Sequence, residues 1–161
     1  MLQSLGPDPF FYLVSDVVWE NILESPLLKL ARVFDPRIMD ACLLLCPTQN
    51  TEHYKIFGYD GRGDFFMNSG SNGAALLSHR GEHQTAPFVF PGIKILSPSL
   101  FEGFGPTHNE PLPFLSLYKK AQERGRLYGL LCNEGSWFHV TNPKSYALAQ
   151  QHFKNNHREG L

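Results

Sequence analysis

The segment MDACLLLCP, residues 39–47, constrains the fold more tightly than any other stretch of the chain. Its apolar residues follow one another without polar alternation and end at Pro47. A strand with one solvated face alternates apolar and polar residues, so this continuous run predicts a strand covered on both faces. The chain must therefore supply a packing layer on each side of that strand, as in a sheet flanked by helices.

Segments of strand character and of helical period alternate along the rest of the chain. FFYLVSD, residues 10–16, predicts a buried strand. The other predicted strands are residues 87–96, 126–133 and 135–140, and the predicted helices are residues 22–34, 111–125 and 142–157. A glycine-rich stretch, residues 48–86, predicts a β-hairpin excursion with strands at 63–68 and 74–78. We expect a single α/β domain over residues 1–161, with a mixed sheet flanked by helices.

Charge and cysteine content exclude several classes of protein. The 14 Lys and Arg residues nearly balance the 15 Asp and Glu residues, and no basic block occurs, which argues against nucleic-acid binding. Cys42, Cys46 and Cys132 do not form a disulfide framework, which favours a reducing, cytoplasmic compartment, and buried hydrophobic roles are expected for Cys42 and Cys46. The apolar runs are far shorter than the roughly 20 residues that cross a membrane, so no membrane association is expected.

Two polar residues stand at the ends of predicted strands. Asp16 follows the first apolar run, and His139 ends a strand just before the last helix. Ligands of open α/β sheets bind beyond the carboxyl ends of strands and near helix N-termini. The pattern therefore predicts a metal or ligand site that includes Asp16 and His139. The alternatives are that Asp16 caps a helix beginning near Val18 or Glu20, and that His139 is a partly buried histidine without a ligand role.

Five segments resemble, in the same order, the latter two thirds of sugar-1-phosphate nucleotidylyltransferases, particularly the N-acetylmuramate-1-phosphate uridylyltransferase and mannose-1-phosphate guanylyltransferase-like group. They are FFYLVSDVVW, FDPRIMDACLLLCP, GYDGRGDFFMN, FVFPGIKILSPSLFEG and GRLYGLLCNEGSWFHVTNPKSYALAQ. The resemblance implies a partial Rossmann-like nucleotide-diphospho-sugar transferase fold. It also implies transfer of a nucleotidyl group from a nucleoside triphosphate to a sugar 1-phosphate with release of pyrophosphate, using Mg²⁺ or Mn²⁺.

The resemblance also assigns roles to individual residues. Asp16 matches the catalytic carboxylate that binds the metal. The family motif Trp-x-Asp-x-Gly-Thr-Pro reads Trp137-Phe-His-Val-Thr-Asn-Pro143 here, so His139 stands at a metal-ligand position and Asn142 at a ligand-binding one. An imidazole suits Mn²⁺ better than Mg²⁺. Gly92 matches the glycine of a Phe-Thr-Gly-Ile motif at the sugar, where it would let the backbone approach a ligand.

Lys94 is a further candidate contact for a sugar phosphate. It alternates with Ile93 and Ile95, so we expect it to face outward near the cleft; the alternative is a solvated surface charge. Arg62 has the same two interpretations. Asp60 and Asp64, with nearby glycines, lack the ligand spacing of a calcium loop and are interpreted as turn-forming residues.

The family's Gly-rich triphosphate loop has no counterpart in the sequence, since the glycines of residues 58–63 do not lie between a strand and a helix. We therefore expect roughly the first third of the family fold to be missing and the strand before Asp16 to have an unpaired edge, covered by a homodimer or a partner chain. Independent activity is then doubtful. The alternative functions are a non-catalytic module that binds sugar phosphate or nucleotide sugar and, ranked lowest, a metal-dependent glycosyltransferase.

Overall fold

The computed structural model of the protein describes residues 6–20, 23–52, 54–71, 73–103 and 113–156. The strands in these ranges are β1 (Phe10–Leu13), β2 (Val17–Glu20), β3 (Ala41–Pro47), β4 (Tyr54–Phe57), β5 (Phe65–Ser71), β6 (Ala74–His79), β7 (Phe88–Val89), β8 (Ile93–Leu96), β9 (Leu127–Leu131) and β10 (Gly135–His139). The helices are α1 (Pro26–Val33), α2 (Phe114–Glu123) and α3 (Pro143–Asn156), with a 3₁₀ turn at Pro98–Phe101.

Strand β3 is the centre of a seven-stranded mixed sheet. It pairs with β8 and β7 in antiparallel orientation and with β9 in parallel orientation. Cys42, Leu44 and Cys46 face one apolar cluster, which includes residues of α1. Ala41, Leu43 and Leu45 face a second cluster, which includes residues of α2. The sequence prediction of a strand buried on both faces is confirmed.

The N-terminal region differs from its prediction. The segment 10–16 is not one buried strand: β1 ends at Leu13, lies at the end of the sheet against β8, and exposes most of its side chains. Residues Val17–Glu20 form the separate strand β2, and the first helix begins only at Pro26, so the interpretation of Asp16 as a helix cap is wrong. Trp19 stacks on Trp137 at 5.6 Å between ring centroids, which explains why this apolar segment is a strand.

Strands β2, β10 and β4 form a smaller sheet beside the large one. β10 pairs with β2 in antiparallel orientation and with β4 in parallel orientation. The sequence predicted β10 but not β4, because the short segment Tyr54–Phe57 contains Lys55 and lies in a glycine-rich stretch. This small sheet carries the candidate site, since Asp16 precedes β2 and His139 ends β10.

The other predicted elements are present with shifted ends. β5 and β6 form the predicted hairpin, and the chain reverses there with Gly73 at φ +85°. Pro91 and Gly92 separate β7 from β8. Helix α3 starts at Pro143, with Asn142 as its cap. The α/β class with a mixed sheet flanked by helices is confirmed. None of the helices in the described ranges is long and apolar enough to cross a membrane.

Candidate functional site

The pairing of β2 with β10 brings Asp16 and His139 together. Val17 is the partner of His139 in this register, and the backbone N–H of Val140 donates to the carbonyl of Asp16 at 2.7 Å. Asp16 Oδ2 and His139 Nε2 lie 3.2 Å apart. The two residues that the sequence placed at a common site are therefore direct neighbours.

Tyr59 forms one wall of this site. The parallel pairing of β4 with β10 aligns Phe57 with Phe138, so the chain leaves β4 beside His139. The ring of Tyr59 stacks on the imidazole, with 4.9 Å between centroids and 20° between planes. Tyr59 was not predicted as a site residue from the sequence, because β4, the strand that positions it, was not predicted either.

The carboxylate of Asp16 and the imidazole of His139 are both accessible to solvent. The side chain of Asp16 is 46% exposed and that of His139 is 30% exposed. Beneath them the phenol of Tyr59 is held neutral, because burial, followed by the nearby Cys46 and Asp16 side chains, raises its pKa above the ordinary value. The site thus has an accessible carboxylate and imidazole on a neutral aromatic support.

A carboxylate oxygen and an imidazole nitrogen are donor types that divalent metal ions accept. Two neighbouring ligands of an octahedral ion are roughly 3 Å apart when each lies about 2.1 Å from the metal, close to the observed 3.2 Å between Asp16 Oδ2 and His139 Nε2. Within the described residues, no three His, Cys, Asp or Glu side chains group as a metal site. Asp16 and His139 are thus two potential donors, joined to each other by a hydrogen bond in this structure.

Lys94 lies elsewhere, and the prediction that it faces outward is wrong. It is 2% exposed, because β1 and α2 cover its face of β8. Its ammonium lies 4.0 Å from the ring centroid of Tyr12 and 3.9 Å from that of Phe114, with Phe90 and Tyr118 at larger distances. Burial lowers its pKa to about 8. We call these four rings and the amine the Lys94 cage.

Gly92 and Asn142 have structural partners. Gly92 adopts φ +91°, and a Cβ atom there would clash with the side chain of Val14. The space that a side chain at position 92 would need is therefore filled by Val14, the residue that follows β1. The side chain of Asn142 accepts a hydrogen bond from Ser145 N at 3.0 Å and so caps α3. Their ligand contacts stay predictions.

Several other candidates have clear structural roles. Cys42, Cys46 and Cys132 are buried free thiols, as expected for Cys42 and Cys46 as hydrophobic residues. The carboxylate of Asp60 accepts from Arg62 N at 2.9 Å and pairs with Arg62 Nε at 2.6 Å, which is the geometry of a turn. The interpretation of Asp60 as a turn-forming residue is confirmed.

The chain is similar to known nucleotidyltransferases. It is 30% identical over 149 residues, 92% of its length, to N-acetylmuramate alpha-1-phosphate uridylyltransferase of Caulobacter vibrioides. A UTP-bound UGPase of Acinetobacter baumannii superposes on 94% of the chain with a TM-score of 0.67 and 14% identity. A UDP-glucose pyrophosphorylase complexed with UDP-glucose superposes on 96% of the chain with a TM-score of 0.69 and 15% identity. No protein-family model matches the chain.

These similarities cover only part of each relative. The chain spans 56% of the length of the Caulobacter enzyme, and 53% and 59% of the lengths of the two solved structures. At 14% and 15% identity the structural similarity concerns the fold. Together the comparisons confirm the resemblance to sugar-1-phosphate nucleotidylyltransferases and the nucleotidyltransferase fold.

Proposed function

We propose that this chain forms part of a sugar-1-phosphate nucleotidylyltransferase, which transfers a nucleotidyl group from a nucleoside triphosphate to a sugar 1-phosphate and releases pyrophosphate. The observation that carries the proposal is the accessible pair of Asp16 and His139, 3.2 Å apart. The similarity to the Caulobacter uridylyltransferase over 92% of the chain supports it. The substrates are therefore phosphate esters with several negative charges.

We further propose that Asp16 and His139 hold the divalent cation of the reaction. Mg²⁺ prefers oxygen ligands, whereas Mn²⁺ also accepts imidazole nitrogen, so His139 favours Mn²⁺. When bound, such an ion neutralises charge on the phosphate oxygens during in-line displacement. Asp16 supplies a carboxylate oxygen, and the neighbouring His139 gives the site one nitrogen donor.

The protein's contribution to this reaction is positional and electrostatic. Phosphoryl and nucleotidyl transfers depend mainly on aligning the attacking and leaving oxygens and on balancing charge. The two-sided attachment of β10, to β2 and to β4, holds His139 in place. The backbone hydrogen bond from Val140 N to Asp16 O holds the carboxylate segment against the same strand.

The other candidate ligand-binding residues, Asn142, Gly92 and Lys94, differ in how accessible they are to a ligand. Asn142 lies three residues after His139 at the start of α3, and we retain it as a contact for the nucleotide sugar. Gly92 is retained for its backbone. Lys94 is enclosed in its cage, so contact with a sugar phosphate would require the rings of Tyr12 and Phe114 to move.

The outer edge of β1, where no neighbouring strand lies among the described residues, is proposed as a contact with a second polypeptide strand, in a homodimer or from a partner chain. β1 is the terminal strand of the seven-stranded sheet, and Phe11, Tyr12 and Leu13 are each about two-fifths exposed, at 40%, 40% and 41%. An edge strand with exposed apolar side chains favours pairing with another strand.

The function is tested by measuring pyrophosphate release from the four nucleoside triphosphates with a panel of sugar 1-phosphates and either Mg²⁺ or Mn²⁺. We expect release that Asp16→Ala abolishes and that Asp8→Ala, at an exposed acidic residue outside the site, leaves unchanged. Release that survives Asp16→Ala would place the reaction elsewhere. A folded chain that binds nucleotide sugar without turnover would support the binding-module alternative instead.

A further inference from the structure

The imidazole ring of His139 has two aromatic or polar neighbours in the site. Asp16 contacts one edge of the imidazole, at 3.2 Å, and Tyr59 covers one face. We propose that Tyr59 is a positioning residue, whose ring holds the imidazole so that Nε2 points toward Asp16. This inference rests on the ligand role proposed for His139.

A stacked aromatic ring restricts the imidazole in a way that the hydrogen bond alone does not. Rotation about the Cβ–Cγ bond of histidine has broad energy wells, so the ring needs external contacts to stay in one plane. With 4.9 Å between centroids and only 20° between planes, Tyr59 fixes that plane. The contact with Asp16 then determines which edge of the His139 imidazole faces the site.

The Tyr59 ring is itself packed against the apolar core. It packs against the apolar cluster that contains Cys46 and Tyr54. Its hydroxyl is buried and has no hydrogen-bond partner within the described residues. A buried hydroxyl without a hydrogen-bond partner destabilises the folded protein. The aromatic ring of Tyr59, and not its hydroxyl, is therefore the part that stabilises this packing. Tyr59→Phe should therefore preserve the positioning function.

Gly58 brings the Tyr59 backbone close enough for this contact. Gly58 adopts φ +84°, and a Cβ atom at this position would lie 2.5 Å from the carbonyl oxygen of His139. No other residue type fits at that distance without displacing β10. The stack is thus set by a tight backbone approach between the end of β4 and the end of β10.

The first experiment examines the ring without any metal. Aromatic NMR spectra of the protein, with the His139 signals identified through His139→Gln, are compared for Tyr59→Phe and Tyr59→Leu. We expect ring-current shifts of His139 and contacts between the two rings in the parent and in Tyr59→Phe. In Tyr59→Leu, which keeps apolar volume but no planar face, we expect those shifts to disappear and the His139 signals to average. Unchanged His139 signals in Tyr59→Leu would overturn the proposal.

The second experiment measures Mn²⁺ binding by electron paramagnetic resonance. Residues that orient a ligand typically change metal affinity by 10–100-fold, so we expect Tyr59→Leu to weaken binding by about tenfold or more and Tyr59→Phe by less than about twofold. Equal affinity of Tyr59→Leu and the parent would contradict the positioning role. A parent protein that binds no Mn²⁺ would refute the proposed metal function, while the NMR comparison would still decide the role of Tyr59.

Folding controls keep the result decisive. Each variant is checked by its thermal unfolding before comparison. If Tyr59→Leu does not fold, Tyr59→Met takes its place, because methionine fills irregular apolar space without offering a planar face.

Discussion

Asp16 Oδ2 and His139 Nε2 lie 3.2 Å apart, although the residues are separated by 123 positions in the chain. The contact follows from the register of β2 and β10, which places Val17 opposite His139. Neither residue belongs to the central sheet built around β3. The candidate site is therefore formed by the small three-stranded sheet, and its geometry depends on how firmly β10 is held by its two neighbours.

Replacing His139 by aspartate should change metal preference. His139→Asp offers oxygen in place of nitrogen, so we expect tighter Mg²⁺ binding and a smaller preference for Mn²⁺ than in the parent. Displacement of Mn²⁺ by Mg²⁺, followed by electron paramagnetic resonance, measures the ratio. His139→Ala is the control for simple loss of a ligand. An unchanged Mn²⁺ to Mg²⁺ ratio in His139→Asp would show that residue 139 does not contact the ion.

Gly58 and Gly61 form a matched pair for the backbone approach at the site. Both have positive φ, +84° and +78°, but a Cβ atom at Gly58 meets His139 whereas one at Gly61 meets no atom within 4 Å. Gly61→Ala should lower the free energy of unfolding by about 1 kcal/mol, the penalty for a non-glycine residue with positive φ. Gly58→Ala adds a steric clash with His139 to the conformational penalty, so it should lower the unfolding free energy by about 2 kcal/mol or more and shift the His139 NMR signals. Equal unfolding free energies in urea for the two variants would contradict the close approach.

The Lys94 cage should make stability depend on pH. The folded pKa is lowered to about 8, whereas an unfolded lysine titrates near 10.4. Between these values the unfolded chain binds more protons, so the lysine's destabilising effect is largest below pH 8 and declines as pH rises. We expect Lys94→Met to be more stable than the parent at pH 7, and the difference to shrink by on the order of 1 kcal/mol by pH 9.

Urea unfolding of the parent and Lys94→Met at pH 7, 8 and 9 measures this difference. Comparing the two proteins at each pH cancels the titration of the buried thiols and tyrosines that both contain. A Lys94→Met variant less stable than the parent throughout this range would mean that the four rings stabilise the ammonium by more than burial penalises it.

Asp40 and Arg126 form an ion pair that should matter for stability. Arg126 Nε lies 2.7 Å from Asp40 Oδ1, and the aspartate side chain is only 2% exposed. Arg126→Met leaves the buried carboxylate with the Ser99 hydroxyl at 2.8 Å and the more distant Arg124 guanidinium at 3.8 Å, and should cost about 2 kcal/mol or more. Arg37→Met, which breaks the exposed pair with Asp35, should change stability by less than about 1 kcal/mol. Similar urea midpoints for the two variants would contradict this ranking.

The β1 edge gives a prediction about assembly. If a second strand pairs there, Leu13→Lys should weaken the association, because a lysine on an edge strand opposes strand pairing. Sedimentation velocity across a range of concentrations measures the effect. Leu28→Lys, at an exposed position of α1, is the control. A parent protein that stays monomeric at high concentration would refute the proposed self-association.

The sequence by itself determined the central strand and singled out the two candidate site residues. A continuous apolar run can be buried only between two layers, and this local property predicted β3. Asp16 and His139 were identified because each follows an apolar run, and the start of α3 followed from Asn142 and Pro143. These are short-range signals, which depend only on neighbouring residues in the sequence.

Only the tertiary structure decided which residues surround those positions. Alternation with isoleucines predicted an outward Lys94, but β1 and α2 cover that face with aromatic rings. Val17–Glu20 is a strand because β10, more than a hundred residues later, pairs with it. Tyr59 lies on His139 because β4 runs beside β10. Each outcome depends on pairing between distant segments, and local sequence patterns do not encode the partner.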